Sequence, residues 1–317
     1  MKSYELYVCS PPEDGGSDAE VKLVAMECDP AGTRLLVARA ALWWRDTPVM
    51  DGANVGAIGD FEADDGEATA LLLECAANYL REQGCHIAVG PMNGNTWQRH
   101  RFVIESRGRG PFLLEPRNPV EHPGWWERAG FSVLSRYSSS VMPLDGSEAV
   151  SPAVISRLAR SGVVVRKMDA SRDDDELRKI HGVSLKSFAG NFLYTPLDED
   201  AFLAAYRKVR DHVDADLVRI AERDGVACGF VFGIPDLEAA GRGEKPAVIV
   251  KTLAVDPEAR CAGLGNLLVG ELHRIAREKG YSEAIHALQH ETNSSLKITG
   301  RHHGEVIRRY ALFSQLL

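Results

Sequence analysis

Several things are scarce in this 317-residue sequence, and each scarcity removes a class of protein. Its six cysteines (Cys9, Cys28, Cys75, Cys85, Cys228 and Cys261) are scattered with no C-x-x-C pair. That pattern speaks against a disulfide framework and against a cysteine-ligated zinc site, and it suits a reducing cytoplasm. No run of about 18 apolar residues exists, so nothing reads as a membrane-spanning helix. Met1-Lys2-Ser3-Tyr4-Glu5 meets Pro11-Pro12-Glu13-Asp14 within a dozen residues, which leaves no room for the apolar stretch of a secretory leader. A basic excess is missing as well. The net charge of −8 argues against a general nucleic-acid binder, whose affinity needs cations facing phosphates. What is present, 44% hydrophobic and 26% charged residues, describes a globular chain long enough for two cores.

The charge is unevenly placed. Residues 1–150 carry 13 Lys and Arg against 22 Asp and Glu, a net −9, while the remainder is nearly balanced at +1. The acidic half reads mainly as strands at 5–9, 21–28, 35–44 and 56–62, separated by Asp14-Gly15-Gly16, Asp29-Pro30 and Asp51-Gly52. A helix is predicted over Glu67–Gln83, where Leu72, Ala76, Tyr79 and Leu80 recur at helical spacing before Gly84. A strand over 86–89 follows. Residues 94–124, rich in turns and arginine (Arg99, Arg101, Arg107, Arg109, Arg117), read as an insertion or long loop. A short helix over 125–128 and two closing strands, 131–135 and 136–142, complete this half.

In the other half, Ser151-Pro152 suits the cap and first turn of a helix over 153–159. Strand 163–167 and helices 173–188 and 198–213 come next. Strands 216–222, 228–232 and 247–255, helix 264–279, and strands 283–289 and 307–313 end the chain. The halves repeat one another. Leu80-Arg81-Glu82-Gln83-Gly84 aligns with Ala276-Arg277-Glu278-Lys279-Gly280, and the order of elements around each matches.

Between a β-branched strand and an amphipathic helix stands Asp256-Pro257-Glu258-Ala259-Arg260-Cys261-Ala262-Gly263-Leu264-Gly265. Glycines there let backbone amides turn inward, the helix start adds free donors, and Arg260 adds a fixed cation, so the loop suits a diphosphate. A Gly-rich turn without a ligand is the plainer reading. Thr252-Leu253-Ala254-Val255-Asp256-Pro257 with Arg260-x-x-Gly263-x-Gly265 resembles the acyl-CoA signature of GCN5-related N-acetyltransferases (GNAT). The resemblance implies an α/β (α+β) fold: two tandem GNAT-like domains, each a mixed, mostly antiparallel sheet flanked by helices. Residues 1–145 are then a degenerate copy carrying the Arg-rich insertion, 146–162 a linker and helix, and 163–317 the acyl-CoA-binding copy. It further implies that Leu253, Ala254 and Val255 face the pantetheine arm, that Arg260, Cys261, Ala262, Gly263, Leu264 and Gly265 hold the pyrophosphate, and that Asn293 lies near the pantetheine. In the first copy Asp64, Asp65 and Glu67 fall where the loop would be, and like charges there would repel a diphosphate. That copy is read as starting near the second family strand and lacking the two early helices.

The implied activity is direct acetyl transfer from acetyl-CoA to the amine of a small-molecule or aminoacyl-like acceptor, without metal. The rival is a catalytically impaired acyl-CoA-binding sensor or structural protein. Many family members place a tyrosine about six residues after the asparagine, but this stretch reads Lys297-Ile298-Thr299-Gly300. The substitutes are Tyr310 as acid, with a half-buried strand tyrosine as its plainer reading, and His290 or Glu291 as base. Ser294 and Ser295 suit a helix cap better than an acid. His286, His290, His302 and His303, with Glu291, raise a zinc site, although four strand residues put the first two about 13 Å apart. Phe192 and Tyr194, between the first two helices of the second copy, are acceptor-pocket candidates. The insertion arginines have two readings, a lid for an anionic group or an interface with acidic surface of the other half. Partners are expected to be the amine acceptor, with neither nucleic acid nor membrane, and a homodimer is left open.

Overall fold

The computed structural model describes residues 3–10, 18–146, 150–207, 213–293, 295–301 and 304–317. The first half runs β1 (Ser3–Cys9), β2 (Val21–Cys28), β3 (Arg34–Trp43), β4 (Val49–Met50), β5 (Ala53–Ala63), α1 (Gly66–Glu82) and β6 (Ile87–Gly90). It continues through β7 (Phe102–Ser106), α2 (His122–Arg128) and β8 (Ser132–Pro143). The second half holds α3 (Pro152–Arg160), β9 (Val163–Lys167), α4 (Asp173–Phe188), α5 (Glu199–Arg207), β10 (Val218–Arg223), β11 (Val226–Pro235) and β12 (Ala247–Val255). α6 (Leu264–Glu278), β13 (Glu283–His290), α7 (Ser295–Arg301) and β14 (Glu305–Leu316) finish the chain.

The main strands join in one continuous sheet, in the order β1-β2-β3-β5-β6-β14-β8-β13-β12-β11-β10-β9. Its two arms repeat the same pairing. β1-β2-β3-β5 and β9-β10-β11-β12 are each antiparallel, and each is followed by one parallel pair, β5-β6 and β12-β13. The closing strands are exchanged. β8, from the first half of the chain, lies between β13 and β14, and β14, from the second half, lies between β6 and β8. Each arm is therefore completed by a strand from the other half.

Burial follows from the patterning that marked the helices. Leu72, Leu73, Ala76 and Leu80 of α1 are buried against Leu23, Leu42 and Ile58 of the sheet, with Trp126 of α2 alongside. In the second arm α6 packs Leu264, Leu268 and Leu272 on Val231 and Val248, while Ile180 and Phe202 of α4 and α5 cover Phe230 and Ile249 on the opposite face. Fully burying each such side chain contributes about 1.5–3 kcal/mol. Gly84 and Gly280, the shared stops, both take left-handed backbone (φ 82° and 89°), which only glycine adopts cheaply.

Four expectations are corrected. The 94–124 stretch is not all loop, because Phe102–Ser106 forms a strand on the free part of β14. The two closing strands expected at 131–142 are one, β8, carried over its irregularities by pairing on both sides. The first copy begins at β1, the counterpart of β9, and no helix separates β1 from β2 among the described residues. Ser151 precedes α3 without a side-chain cap. α5 ends at Arg207, and residues 208–212 of the longer helix expected there lie outside the described residues.

Candidate functional site

β12 and β13 run side by side only from Ala247↔Glu283 to Val250↔His286. Both strands then break register at the same level. Lys251 is skipped between Val250 and Thr252 in the pairing with β11, and β13 is irregular between His286 and Gln289, with Leu288 at φ 54°. Bulges bend strands and re-aim side chains. Here they part the strands, so the β13-facing backbone of Lys251–Val255 has no strand beside it. In the first arm the equivalent gap is closed by the chain itself: Met92 N–H donates to Ile58 O at 2.8 Å and Asp60 N–H to Asn93 Oδ1 at 2.9 Å.

At the far end of the open gap, Asp256 caps a short turn (Glu258 N–H to Asp256 Oδ1, 2.9 Å), then Arg260 (φ 48°) and Gly263 (φ 86°) wind the loop into α6. A Cβ on Gly263 would fall 2.9 Å from Val154 Cγ1, so glycine is required there by sterics and by φ. Gly265 differs: its Cβ would meet ordinary contacts, Ile298 at 3.5 Å and Leu253 at 3.7 Å. The amides of Cys261, Ala262, Gly263, Gly265 and Asn266 find no acceptor among the described residues. Arg260 is exposed and makes no ion pair with another described residue. Arg157 of α3 latches the loop by donating to Ala262 O at 2.6 Å, and so brings a second cation there. Ser187 Oγ takes the Val255 N–H at 3.3 Å, tying α4 to the strand end. Free amides at a helix start beside two arginines are a donor set that fits a diphosphate.

The first copy answers the same position differently. β5 passes into α1 through Asp64 and Asp65 alone, and the Asp65 carboxylate accepts the Glu67 and Ala68 amides, both at 2.9 Å. The helix start is already occupied by the protein's own anion. A diphosphate has no loop there, and two of the helix-start amides are already taken.

Of the residues expected to do chemistry, His290 stands at the gap. Its ring meets Tyr137 (4.9 Å between centroids) and Phe192 (5.4 Å). The Thr292 N–H donates to Nδ1 at 3.1 Å, so Nδ1 is unprotonated and Nε2–H donates to Ser135 Oγ at 2.7 Å. Burial lowers the His290 pKa. Glu291 is exposed, and its carboxylate accepts the Arg136 N–H at 3.1 Å. Tyr310, expected as acid or as a half-buried strand tyrosine, is buried more deeply than either reading assumed. It is 0% exposed, with its hydroxyl donating to Glu115 and lying 2.9 Å from Ser139 Oγ. Desolvation raises its pKa, with Glu115 adding to the effect. Asn293 Oδ1 accepts the Ser295 N–H at 2.9 Å, capping α7. His286 is buried and bonds His273 and Thr299, away from His290's partners, while Ser294, His302 and His303 lie outside the described residues.

Tyr194 lies on the same loop as Phe192, packed against Trp97 and Phe188, and Trp97 Nε1–H donates to Thr195 O at 2.8 Å. Residues 92–101 of the first copy thus form one wall of the second copy's cleft. Two of the insertion arginines take the interface reading, while Arg107 pairs with Glu105 of its own half. Arg109 pairs with Glu283 (2.6 Å) and Glu244 (3.1 Å), and Arg117 with Glu238, all across the halves. Arg101 enters the cleft instead. Sequence reasoning missed Arg101 as a distinct residue, together with Lys251 and Tyr137. The one signal for Lys251 was a lone charge in the otherwise apolar-to-neutral strand Ala247–Val255.

Residues 183–297 match the family model described as Acetyltransferase (GNAT) family. Two curated proteins are similar over about 60% of this chain. One is "Bacterial ceramide synthase" of Caulobacter vibrioides, 26% identical over 192 residues, and the other "Protein YghO" of Escherichia coli, 24% identical over 193 residues. The chain spans about half the length of each. Among solved structures, a tandem GNAT protein from the clavulanic acid biosynthesis pathway is matched over 99% of this chain and 98% of its own (TM-score 0.54, 13% identity). A GCN5-related glucosamine N-acetyltransferase region of a fungal multi-domain β-N-acetylglucosaminidase is matched over 99% of this chain and 38% of that one (TM-score 0.60, 14% identity). At such identities the structures speak for the fold alone.

Proposed function

Because this chain carries a GNAT-family domain within a tandem GNAT fold, a class built for acyl-CoA-dependent transfer, we propose that it is an N-acetyltransferase acting on the amine of a small-molecule or aminoacyl-like acceptor. The observation that carries the reading is the contrast between the two helix starts. One leaves five amides and Arg260 open, and the other fills its amides with Asp65. Acyl-CoA supplies the activated acyl group as a thioester. Arg260, Arg157 and the open amides of 261–266 would hold its pyrophosphate, and the Leu253–Val255 edge, which no strand covers and where only the Val255 N–H is taken by Ser187, would align the pantetheine arm. Bulging at Lys251 and Leu288 opens the strands beside His290, Tyr137 and Phe192, which would line the reacting end of that arm. His290, neutral and facing the cleft, is the group able to take the amine proton once Thr292 yields Nδ1. Residues 92–101 and 188–197 exclude water from the acceptor side. The residues 1–145, 146–162 and 163–317 are proposed to serve as acceptor wall, linker and transfer domain.

Isothermal titration of CoA tests the core of this. The Arg260→Glu variant is expected to lose at least tenfold in affinity, while Asp65→Ala is expected to gain no second site. Unchanged affinity in the first variant removes the loop assignment. The engaged states of Tyr310 and Glu291 favour one second reading, an acyl-CoA sensor without turnover. CoA binding without thiol release across an amine panel selects it.

A further inference from the structure

Arg101 is a buried cation without a counterion. It is 8% exposed, in a left-handed conformation (φ 71°) that drives its side chain out of the 92–101 wall toward the bulge of β13. One Nη donates to Leu288 O at 3.2 Å and the other to His100 Nε2, and the guanidinium lies 4.0 Å over the Tyr137 ring. His100 Nδ1–H donates to Gln98 O at 2.9 Å, so the imidazole that accepts from Arg101 is neutral. Nε of Arg101 is buried with no partner, and no carboxylate of the described residues pairs with this guanidinium. Glu115 is spent on Arg308 and Tyr310, and Glu291 on the Arg136 amide. A second cation faces the same space. Lys251, set off by the β12 bulge, is exposed, and desolvation, with the Arg101 charge adding to it, lowers its pKa. Arg101 and Lys251 repel one another, and both repel a charged His100.

Leaving a buried charge uncompensated is costly, and proteins retain such a group where something else neutralises it. The neutraliser must be an anion, small enough for the cleft and able to use a planar fork of donors. Carboxylate and phosphate both meet that description. We propose that Arg101 and Lys251 form the recognition site for an anionic group, a carboxylate or a phosphate, borne by the acceptor amine. The inference rests on the acyltransferase reading of the cleft and narrows it to amines with an anion on the same molecule. It has a mechanistic corollary. Two cations repel a plain ammonium from the cleft, whereas an amine tethered to an anion brings the compensating charge with it. The first copy, unable to bind a diphosphate, would thus contribute the guanidinium that selects the acceptor.

The test uses the full chain, the variants Arg101→Met and Arg101→Lys, and two readouts. Thermal melts at fixed ionic strength, with CoA saturating, compare inorganic phosphate and acetate as probes. The wild type is expected to gain several degrees saturably, Arg101→Met none, and Arg101→Lys part of the gain. In anion-poor buffer Arg101→Met is expected to melt no lower than the wild type, because it removes an unpaired buried charge. Turnover then compares matched amines: β-alanine against 3-aminopropanol, and O-phosphoethanolamine against ethanolamine. The anionic member of one pair is expected to be favoured at least tenfold in kcat/KM, which also tells carboxylate from phosphate, and Arg101→Met is expected to erase the preference. Equal melts of wild type and Arg101→Met with every anion, or a neutral amine preferred by the wild type, overturns the proposal. Failure of CoA itself to bind would instead strike the acyltransferase reading, since CoA affinity is measured on the same samples.

Discussion

Tyr137 and Tyr310 face each other across the centre of the molecule. Each is the sixth residue of a 12-residue strand, β8 and β14, and the two are direct partners in the antiparallel ladder. Equivalent residues of two repeats that pair with one another mark the local two-fold axis relating the repeats. Around that axis the sequence is no longer symmetric. Tyr137 carries Arg101 on its ring and borders the cleft, while Tyr310 is sealed against Glu115 and Ser139. The duplicated fold has thus set one tyrosine at the site and the other in the core.

This placement decides what Tyr310→Phe should do. Losing a buried hydroxyl that donates to a carboxylate costs about 1–3 kcal/mol, softened here because Arg308 still pairs with Glu115. The melting temperature is therefore expected to fall by several degrees, with thiol release per folded molecule changing less than about fivefold. A hundredfold loss of kcat with unchanged stability would restore Tyr310 as an acid.

Gly263 and Gly265 separate folding from binding. Gly263→Ala meets Val154 and an unfavourable φ, so it is expected to destabilise the chain by about 1–2 kcal/mol. Gly265→Ala adds a methyl group at ordinary contact distances in the first turn of α6. It is expected to leave the melting temperature unchanged or raise it, by up to about 1 kcal/mol of helix propensity. CoA affinity should nevertheless drop several-fold, because that methyl group occupies the cradle. Titration beside a thermal melt checks both halves of the claim, and unaffected CoA affinity in Gly265→Ala would move the pyrophosphate elsewhere.

Much of this was legible in the sequence. Apolar spacing placed α1, α4 and α6 to within two residues, and the run 247–255 became β12 as expected. The loop Arg260–Gly265 stood out because glycine, a cation and a helix start are a local signal. Strand exchange was not legible. β8 and β14 show the same alternation whichever neighbours they take, and partner choice is a long-range matter. The role of Arg101 was hidden for the same reason. Five arginines of one stretch look alike in sequence, yet Arg109 meets Glu283 and Glu244 while Arg101 meets no acid among the described residues. Lys251 took its direction from a bulge, which composition does not reveal.

Exchange of the closing strands makes the linker near residues 146–162 a covalent boundary without being a folding one. A fragment of residues 150–317 would keep the CoA loop but lose β8 from between β13 and β14, exposing two strand edges and the apolar residues Met142 and Leu144 normally cover. Expressed alone, it is expected to aggregate or melt without cooperativity. Co-expression with residues 1–146 should restore a complex that binds CoA. A monomeric, cooperatively melting 150–317 fragment, by size exclusion and calorimetry, would show that the arms are independent.

His290 yields a prediction with a defined sign in pH. Desolvation holds its pKa below 6.5, with the nearby Arg101 charge working in the same direction and Glu291 against. If the neutral ring takes the acceptor's proton, the active form is present above that lowered pKa and is lost as pH falls through it. The acceptor's own ionisation would blur this limb, but it cancels when the wild type is divided by His290→Gln at each pH. That ratio in kcat/KM is expected to be flat and large, about 10²–10⁴, from pH 7 upward. It should then decline about tenfold per pH unit once pH is below the His290 pKa. A ratio near one at all pH values would leave the proton to water. A limb above 6.5 would show that the ring charges more easily than its buried setting permits, and that Glu291 rather than desolvation governs it.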